Sequence, residues 1–119
     1  MDTPDESITL ISAGKVQGTP VIDPSGNSLG EIYDVMLEKR TGRVAYAIMS
    51  FGGVLGIGKK YHPLPWLALK YVPEAGGYVV GIPKDALMDG PTIENSGAPW
   101  ETGLQQKIEG YYGSWLSTA

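Results

Sequence analysis

One segment of the chain has the residue types and spacing of a phosphate-binding loop. Gly53, Gly58 and Lys59 follow the pattern G-x-x-x-x-G-K directly after an apolar run. In such a loop the backbone N–H groups and the lysine hold phosphate oxygens, and a following Ser or Thr binds Mg²⁺. Here Lys60 occupies the Ser/Thr position, and the two prolines of Tyr61–Pro65 prevent the helix that the phosphates need. We therefore expect the glycines to turn the chain between two strands.

Few other residues are suited to catalysis. The chain has no cysteine and a single histidine, His62, which excludes disulfides, thiol chemistry and a His-rich metal site within one chain. His62 has no nucleophile or carboxylate close by in the sequence, so we expect it to be structural or on the surface. The spacing of Glu31 and Asp34 on a predicted strand places them on opposite faces. These observations predict that the protein is not an enzyme and holds no cofactor or metal.

Length and charge set broad limits on the function. A chain of 119 residues is long enough for one domain with its own core. Residues 1–6 carry three acids and residues 89–119 carry four acids and one base, whereas residues 7–88 carry eight bases and six acids. This distribution is not the basic surface of a nucleic-acid-binding protein, so no direct nucleic-acid contact is predicted. The sequence has no apolar run of the roughly 18 residues needed to span a bilayer, and its start does not resemble a signal peptide. We expect a cytoplasmic protein without membrane insertion.

Short strands separated by turn residues make up most of the chain. Asp23–Gly26 and Lys39–Gly42 have the composition of turns. The strands around the second turn are apolar on both faces, which suits strands wrapped in a barrel. The predicted strands are Thr19–Ile22, Ser28–Glu38, Arg43–Phe51, Lys59–Leu64, Leu69–Val72 and Tyr78–Ile82, with one-turn helices near Ala13–Val16, Pro65–Leu69 and Pro83–Met88. The predicted fold class is all-β, a small antiparallel barrel of about six strands with one-turn helices and a C-terminal helical tail.

The glycine-rich loop, residues 52–58, also contains three aliphatic side chains, Val54, Leu55 and Ile57. An exposed turn seldom holds three such residues, so a simple reversal of the chain does not explain them. They either plug the mouth of the barrel or form an apolar contact patch for a second subunit.

The last part of the chain differs in composition from the rest. Residues 91–99 have the proline, glycine and polar content of a linker. Apolar residues recur at helical spacing after it, but Gly103 and Gly110 each weaken a helix by about 1 kcal/mol. Such a helix folds only against a surface, which is its own barrel, a second copy of the chain or a foreign partner. We predict a disordered N-terminus at 1–7, a barrel domain at 8–90, and a linker with an amphipathic aromatic tail at 91–119.

The order of these segments resembles the PRC-barrel family over about residues 8–90. The segments that carry the resemblance are Leu10–Ala13, Gly18–Val21, Leu29–Ile32, Gly42–Ala47, Ser50–Gly58, Pro65-Trp66 and Leu69. The sequence is most similar to short stand-alone bacterial members, which are related to the cytoplasmic domain of the reaction-centre H subunit and the C-terminal domain of RimM. The resemblance implies a six-stranded antiparallel barrel used for protein contacts. It implies no catalytic residues.

The leading hypothesis is a non-catalytic protein–protein interaction module that acts as a homodimeric adaptor and also binds an unknown protein partner. One alternative is an accessory factor in ribosome maturation or RNA metabolism that acts by binding a protein. A second alternative is a factor associated with a photosynthetic complex. The candidate interaction residues are Val54, Leu55 and Ile57 in the glycine-rich loop, and Trp100, Leu104, Ile108, Tyr111, Tyr112 and Trp115 in the tail.

Overall fold

The structure is a computed structural model that describes residues 9–51, 60–94, 100 and 102–116. These residues form six strands, three α-helices and two 3₁₀ turns. The strands are β1 (Pro20–Ile22), β2 (Ser28–Leu37), β3 (Val44–Phe51), β4 (Lys60–Pro65), β5 (Lys70–Val72) and β6 (Gly77–Val79). The helices are α1 (Ala13–Val16), α2 (Lys84–Met88) and α3 (Thr102–Leu116), and the 3₁₀ turns are Trp66–Ala68 and Pro73–Ala75.

All six described strands belong to one sheet, in the order β4-β3-β2-β1-β6-β5. The predicted six-stranded, barrel-like fold with short helices and a C-terminal helix is confirmed. The strand directions need a correction, because β1 and β6 run parallel, with Val21 opposite Tyr78, while the other four neighbouring pairs are antiparallel. The sheet is therefore mixed. The alternation of apolar residues specifies the face on which a side chain lies but not the direction of the neighbouring strand.

Strand β3 is buried on both faces. It pairs with β2 on one side and with β4 on the other, and its residues Tyr46–Ser50 are each 6% exposed or less. The almost wholly apolar sequence of this strand fits that position, because neither face meets water. The hydrophobic core lies around it and includes Ile32, Met49 and Leu64.

A β-bulge in β2 overturns one prediction about side-chain direction. Glu31 pairs with Ser50, and Asp34 pairs with Ile48 after a register shift. Ser50 and Ile48 lie on the same face of β3 because they are two residues apart. The extra residue in the bulge therefore brings Glu31 and Asp34 to the same side of the sheet, whereas simple alternation predicts opposite sides.

The turn between β1 and β2 forms as its composition predicts. The Asp23 carboxylate accepts hydrogen bonds from the backbone N–H groups of Ser25 and Asn27, both at 2.9 Å. Gly26 has a φ of 93°, which a residue with a Cβ rarely adopts. Hydrogen bonding, chiefly from the backbone of Asn27, lowers the pKa of Asp23.

The apolar spacing of the tail predicts a helix, and α3 confirms it over Thr102–Leu116. Its most extensive contacts with the rest of the domain are to β4 and to the 3₁₀ turn Trp66–Ala68. Among the helices that the structure describes, none has the length and apolar character required to cross a bilayer.

Candidate interaction surfaces

Helix α3 packs on the barrel of its own chain. Ile108 and Tyr112 are 0% exposed and belong to the same core as Leu64 and Leu87. Of the three surfaces considered for the tail, the structure therefore places it on its own barrel. The sequence predicts Ile108 and Tyr112 as interaction residues, but their burial leaves them no surface for a partner while α3 is docked.

Polar contacts at two positions hold the docked helix. The Tyr111 hydroxyl donates a hydrogen bond of 2.6 Å to the backbone carbonyl of Ala86 in α2. The Tyr46 hydroxyl on β3 donates to the carboxylate of Glu109, and the Tyr46 ring lies 5.1 Å from that of Trp100. Burial, followed by the charge of Glu109, raises the pKa of Tyr46. These contacts tie both the start and the middle of the tail to the barrel.

The aromatic residues near the end of α3 form a compact group, which we call the tail cluster: Tyr111, Tyr112 and Trp115. Their ring centroids lie 4.8, 5.9 and 6.1 Å apart. Trp115 is 36% exposed, and it is the member of this cluster with the most surface for a partner. Two further predicted interaction residues, Trp100 and Leu104, are partly buried and pack against the core.

Tyr112 fits the barrel through a close approach to a glycine. A Cβ built on Gly90 would overlap the Tyr112 hydroxyl, and it would lie 3.2 Å from the ring of Tyr111. The Tyr112 hydroxyl is buried and has no hydrogen-bond partner in the part of the chain that the structure describes. Burial, followed by the neighbouring Tyr111, raises the pKa of Tyr112. Position 90 therefore tolerates no side chain while α3 is docked as observed.

A second group of aromatic residues reaches the surface at β5, and we call it the edge cluster: Trp66, Tyr71 and Tyr78. The Tyr78 ring lies 5.4 Å from Trp66 and 5.3 Å from Tyr71. Burial, followed by Tyr71, raises the pKa of Tyr78, which is only 7% exposed. Tyr71 is 54% exposed, and Leu67, just ahead of β5, is 87% exposed. The edge cluster thus begins in the core and ends in solvent.

The two edges of the sheet are covered differently. At the β4 edge, Ile93 forms an isolated antiparallel bridge with Tyr61, and its N–H donates to the Tyr61 carbonyl at 3.0 Å. At the β5 edge, Tyr71 is exposed and no described strand pairs with the outer side of β5. An open edge with apolar neighbours is a surface on which another strand can pair.

The local sequence around Leu67 and Tyr71 does not indicate that either residue is exposed. Leu67 follows Trp66 in a short apolar run, a pattern that is typical of core residues. Tyr71 lies in a predicted hairpin strand, whose local sequence does not show whether it is an edge. The missing information is the strand order, which places β5 at the end of the sheet.

His62 lies inside the domain on β4, opposite Met49 of β3, and is 1% exposed. Burial, followed by the charge of Lys60, lowers the pKa of His62. His62 is therefore a structural residue of the interior and not a surface histidine.

Val54, Leu55 and Ile57 lie outside the described residues, so the two alternatives for the glycine-rich loop stay predictions. The segment after the loop is strand β4, not the helix that a phosphate-binding loop requires. Within the described ranges, no group of His, Asp or Glu side chains is arranged to hold a metal ion.

Comparison with known proteins gives one family match. The model of the PRC-barrel domain matches residues 8–87. A search of the curated proteins finds no match. Among the solved structures 30 chains match. One is a structure from Pseudomonas aeruginosa described as a 16S ribosomal RNA processing protein, RimM, with 20% identity and a TM-score of 0.42 over 69% of this chain. The matched region is 49% of that protein, so the chain spans about half its length. A likeness this distant carries no argument about function.

Proposed function

Because the chain belongs to the PRC-barrel domain family, we propose that it is a non-catalytic protein-interaction module that works as a homodimer. The observation that supports this proposal most directly is the exposure of large apolar side chains beside the open edge of the sheet. Leu67 is 87% exposed and Tyr71 is 54% exposed, and Tyr71 lies on the edge strand itself, whereas the similarly exposed Leu10, Ile11 and Leu37 lie elsewhere in the domain. Exposed apolar groups that lie together are typical of a contact surface.

The docked tail narrows the choice of contact surface. The inner face of α3 is already occupied by the barrel of the same chain, since Ile108 and Tyr112 are fully buried there. A partner that used this face would have to displace the helix and break the hydrogen bond from Tyr111 to Ala86. The β5 edge needs no such rearrangement. We therefore assign self-association to the edge cluster and not to the inner face of the tail.

An adaptor needs a further surface once two copies have associated. Met88 at the end of α2 is 51% exposed and Trp115 on α3 is 36% exposed. Neither residue belongs to the β5 edge, so both remain available to another protein in a dimer formed there. The dimer would present two copies of this surface, which strengthens the binding of a partner with two matching sites.

The oligomeric state tests the proposal. Light scattering of the full chain, coupled to size exclusion, is measured over a range of protein concentrations. We expect the mass to approach twice the monomer mass of 12.7 kDa as the concentration rises. A mass that stays at 12.7 kDa at the highest concentration would contradict the homodimer.

A further inference from the structure

The backbone of Tyr71 points its hydrogen-bonding groups away from the sheet. The Val72 carbonyl accepts a hydrogen bond of 3.2 Å from the N–H of Gly76, in the connection that leads to β6. The groups of Val72 therefore face β6, which pairs with β5 in an antiparallel register. Neighbouring residues of a strand present their N–H and C=O groups to opposite sides. The N–H and C=O of Tyr71 consequently face outward, where no described strand pairs with them.

Among the described residues, the β5 edge of the sheet is more accessible than the β4 edge. The bridge between Ile93 and Tyr61 occupies part of the β4 edge. Strand β5 has no proline. The exposed side chain of Tyr71 lies on this strand, and the exposed Leu67 lies in the 3₁₀ turn that precedes it. Edge strands avoid pairing through a proline, a bulge, an inward charge, a short length or a lysine, and β5 has the last two, so the pairing surface that it offers is only three residues long.

We propose that β5 of two copies pair antiparallel about a two-fold axis that passes beside Tyr71. This inference rests on the proposed homodimer and names its interface. At the axis, the N–H of Tyr71 in each copy donates to the Tyr71 carbonyl of the other, which makes a reciprocal pair of hydrogen bonds. Lys70 of one copy then lies opposite Val72 of the other. The same patch serves both subunits, as a two-fold interface requires.

Charge favours the antiparallel orientation over the parallel one. The exposed edge has a base, Lys70, at one end and an acid, Glu74, just past the other end. Antiparallel pairing directs Lys70 of each copy toward the Glu74 end of the other. Parallel pairing in register would instead set like charges directly opposite one another, which is destabilising. The edge is therefore complementary to itself in the antiparallel direction.

The aromatic contacts of the monomer support the same arrangement. The rings of Trp66, Tyr78 and Tyr71 run from the core to the surface with centroids 5.4 and 5.3 Å apart. Residues opposite each other in an antiparallel pair lie on the same face, so the two Tyr71 side chains would be neighbours. The row of three rings in each copy would then continue into the other, and the exposed surface of Tyr71 would be covered.

A charge placed at the axis tests the interface. We expect Tyr71→Lys to weaken association at least tenfold, because two ammonium groups would lie directly opposite each other. Lysine is well tolerated on exposed edges, so the variant should keep the far-ultraviolet circular dichroism of the parent. The matched control is Tyr33→Lys, since Tyr33 is 39% exposed on β2, away from the β5 edge.

Light scattering then separates the inference from the proposed function. A dimeric parent and Tyr33→Lys with a monomeric Tyr71→Lys would support the β5 interface. A dimeric parent with an equally dimeric Tyr71→Lys would overturn this interface but leave the homodimer standing. A parent that is monomeric at every concentration would overturn both.

A cross-link measures the predicted proximity directly. The chain contains no cysteine, so a single Tyr71→Cys substitution introduces the only thiol. Hydrogen-bonded residues of an antiparallel pair have Cα atoms about 5.5 Å apart. Disulfides form at Cα separations of roughly 4.4–6.8 Å. We expect mild oxidation to give a covalent dimer of Tyr71→Cys but not of Tyr33→Cys. Equal cross-linking of the two variants, or none at position 71 in a dimeric sample, would overturn the register.

Discussion

The tail cluster and the edge cluster contain the same kinds of side chain but differ in what covers them. In the tail cluster, Tyr112 is fully buried and Tyr111 is bonded to Ala86, so the chain itself provides the contact surface. In the edge cluster, Tyr78 is buried but Tyr71 is half exposed. Aromatic residues therefore indicate where contacts form. Whether the contact is made within the chain or needs a second molecule depends on where the cluster lies in the fold.

The largest difference between the two regions should appear on truncation of an aliphatic residue. Ile108→Ala should lower the free energy of unfolding by about 2–5 kcal/mol, because Ile108 is 0% exposed beneath the tail. Leu67→Ala, at a residue that is 87% exposed beside the edge cluster, should change it by no more than about 0.5 kcal/mol. Urea unfolding at low protein concentration measures both. Similar losses for the two variants would mean that the regions do not differ in the monomer.

A smaller but sharper effect is expected at the glycine under the tail cluster. Gly90→Ala should cost about 1–3 kcal/mol, because its new Cβ would overlap the Tyr112 hydroxyl and force α3 to shift. The matched control is Gly81→Ala, where a Cβ would have no atom within 4 Å. Thermal unfolding, together with the near-ultraviolet circular dichroism of the tyrosines, reports both stability and the position of the helix. Equal melting temperatures would show that α3 is not held against Gly90.

Two neighbouring hydroxyl groups should respond in opposite directions. Tyr111→Phe should cost about 1 kcal/mol, because it removes a hydrogen bond of 2.6 Å to Ala86. Tyr112→Phe should leave the stability unchanged or raise it by about 1 kcal/mol, because the buried hydroxyl that it removes has no partner among the described residues. The urea midpoints of the two variants make the comparison. A loss at Tyr112→Phe as large as that at Tyr111→Phe would indicate a hydrogen bond to this hydroxyl.

The smallest change in stability is expected from protonation of His62, which lies in the interior and belongs to neither aromatic cluster. Burial holds the pKa of His62 below its usual value of about 6.5. Above pH 6.5 the imidazole is neutral in both the folded and the unfolded chain, so His62 contributes nothing to the pH dependence of the free energy of unfolding. Below it, the unfolded chain takes up a proton that the folded chain resists, and stability falls as the pH is lowered toward the folded pKa.

Urea unfolding at pH 7.5 and at pH 5.5 measures this dependence, and His62→Gln is the control. The parent should lose stability between the two pH values, while the variant should lose less. Equal losses would assign the pH dependence to the carboxylates.

Local patterns predicted much of the fold. The turn at Asp23–Gly26, the buried strand around Tyr46–Ser50 and the helical spacing of the tail all depend on residues close together in the chain, and all appear in the structure. The resemblance to the PRC-barrel family is confirmed by the match over residues 8–87. These features could be predicted because short-range backbone chemistry and burial determine them.

The misplaced features depend on long-range geometry. The bulge between Glu31 and Asp34 brings these two side chains to the same side of the sheet, and the sequence contains no clear signal for it. The exposure of Tyr71 follows from the position of β5 at the end of the strand order. The aromatic spacing of α3 predicted an apolar face, but it could not show that Ile108 and Tyr112 pack into the core of their own chain.

The parallel pairing of β1 and β6 has a consequence for the order in which the domain assembles during synthesis. Val21 and Tyr78 are partners although they are 57 positions apart in the sequence, whereas the hairpin of β2 and β3 closes over a short turn. Closing the longer loop costs more chain entropy, and it must wait until β6 has left the ribosome, at about 5–20 residues per second. The hairpin should therefore form first and recruit β1. The second side of β1 then stays unpaired for several seconds, until the last hairpin arrives to cover it.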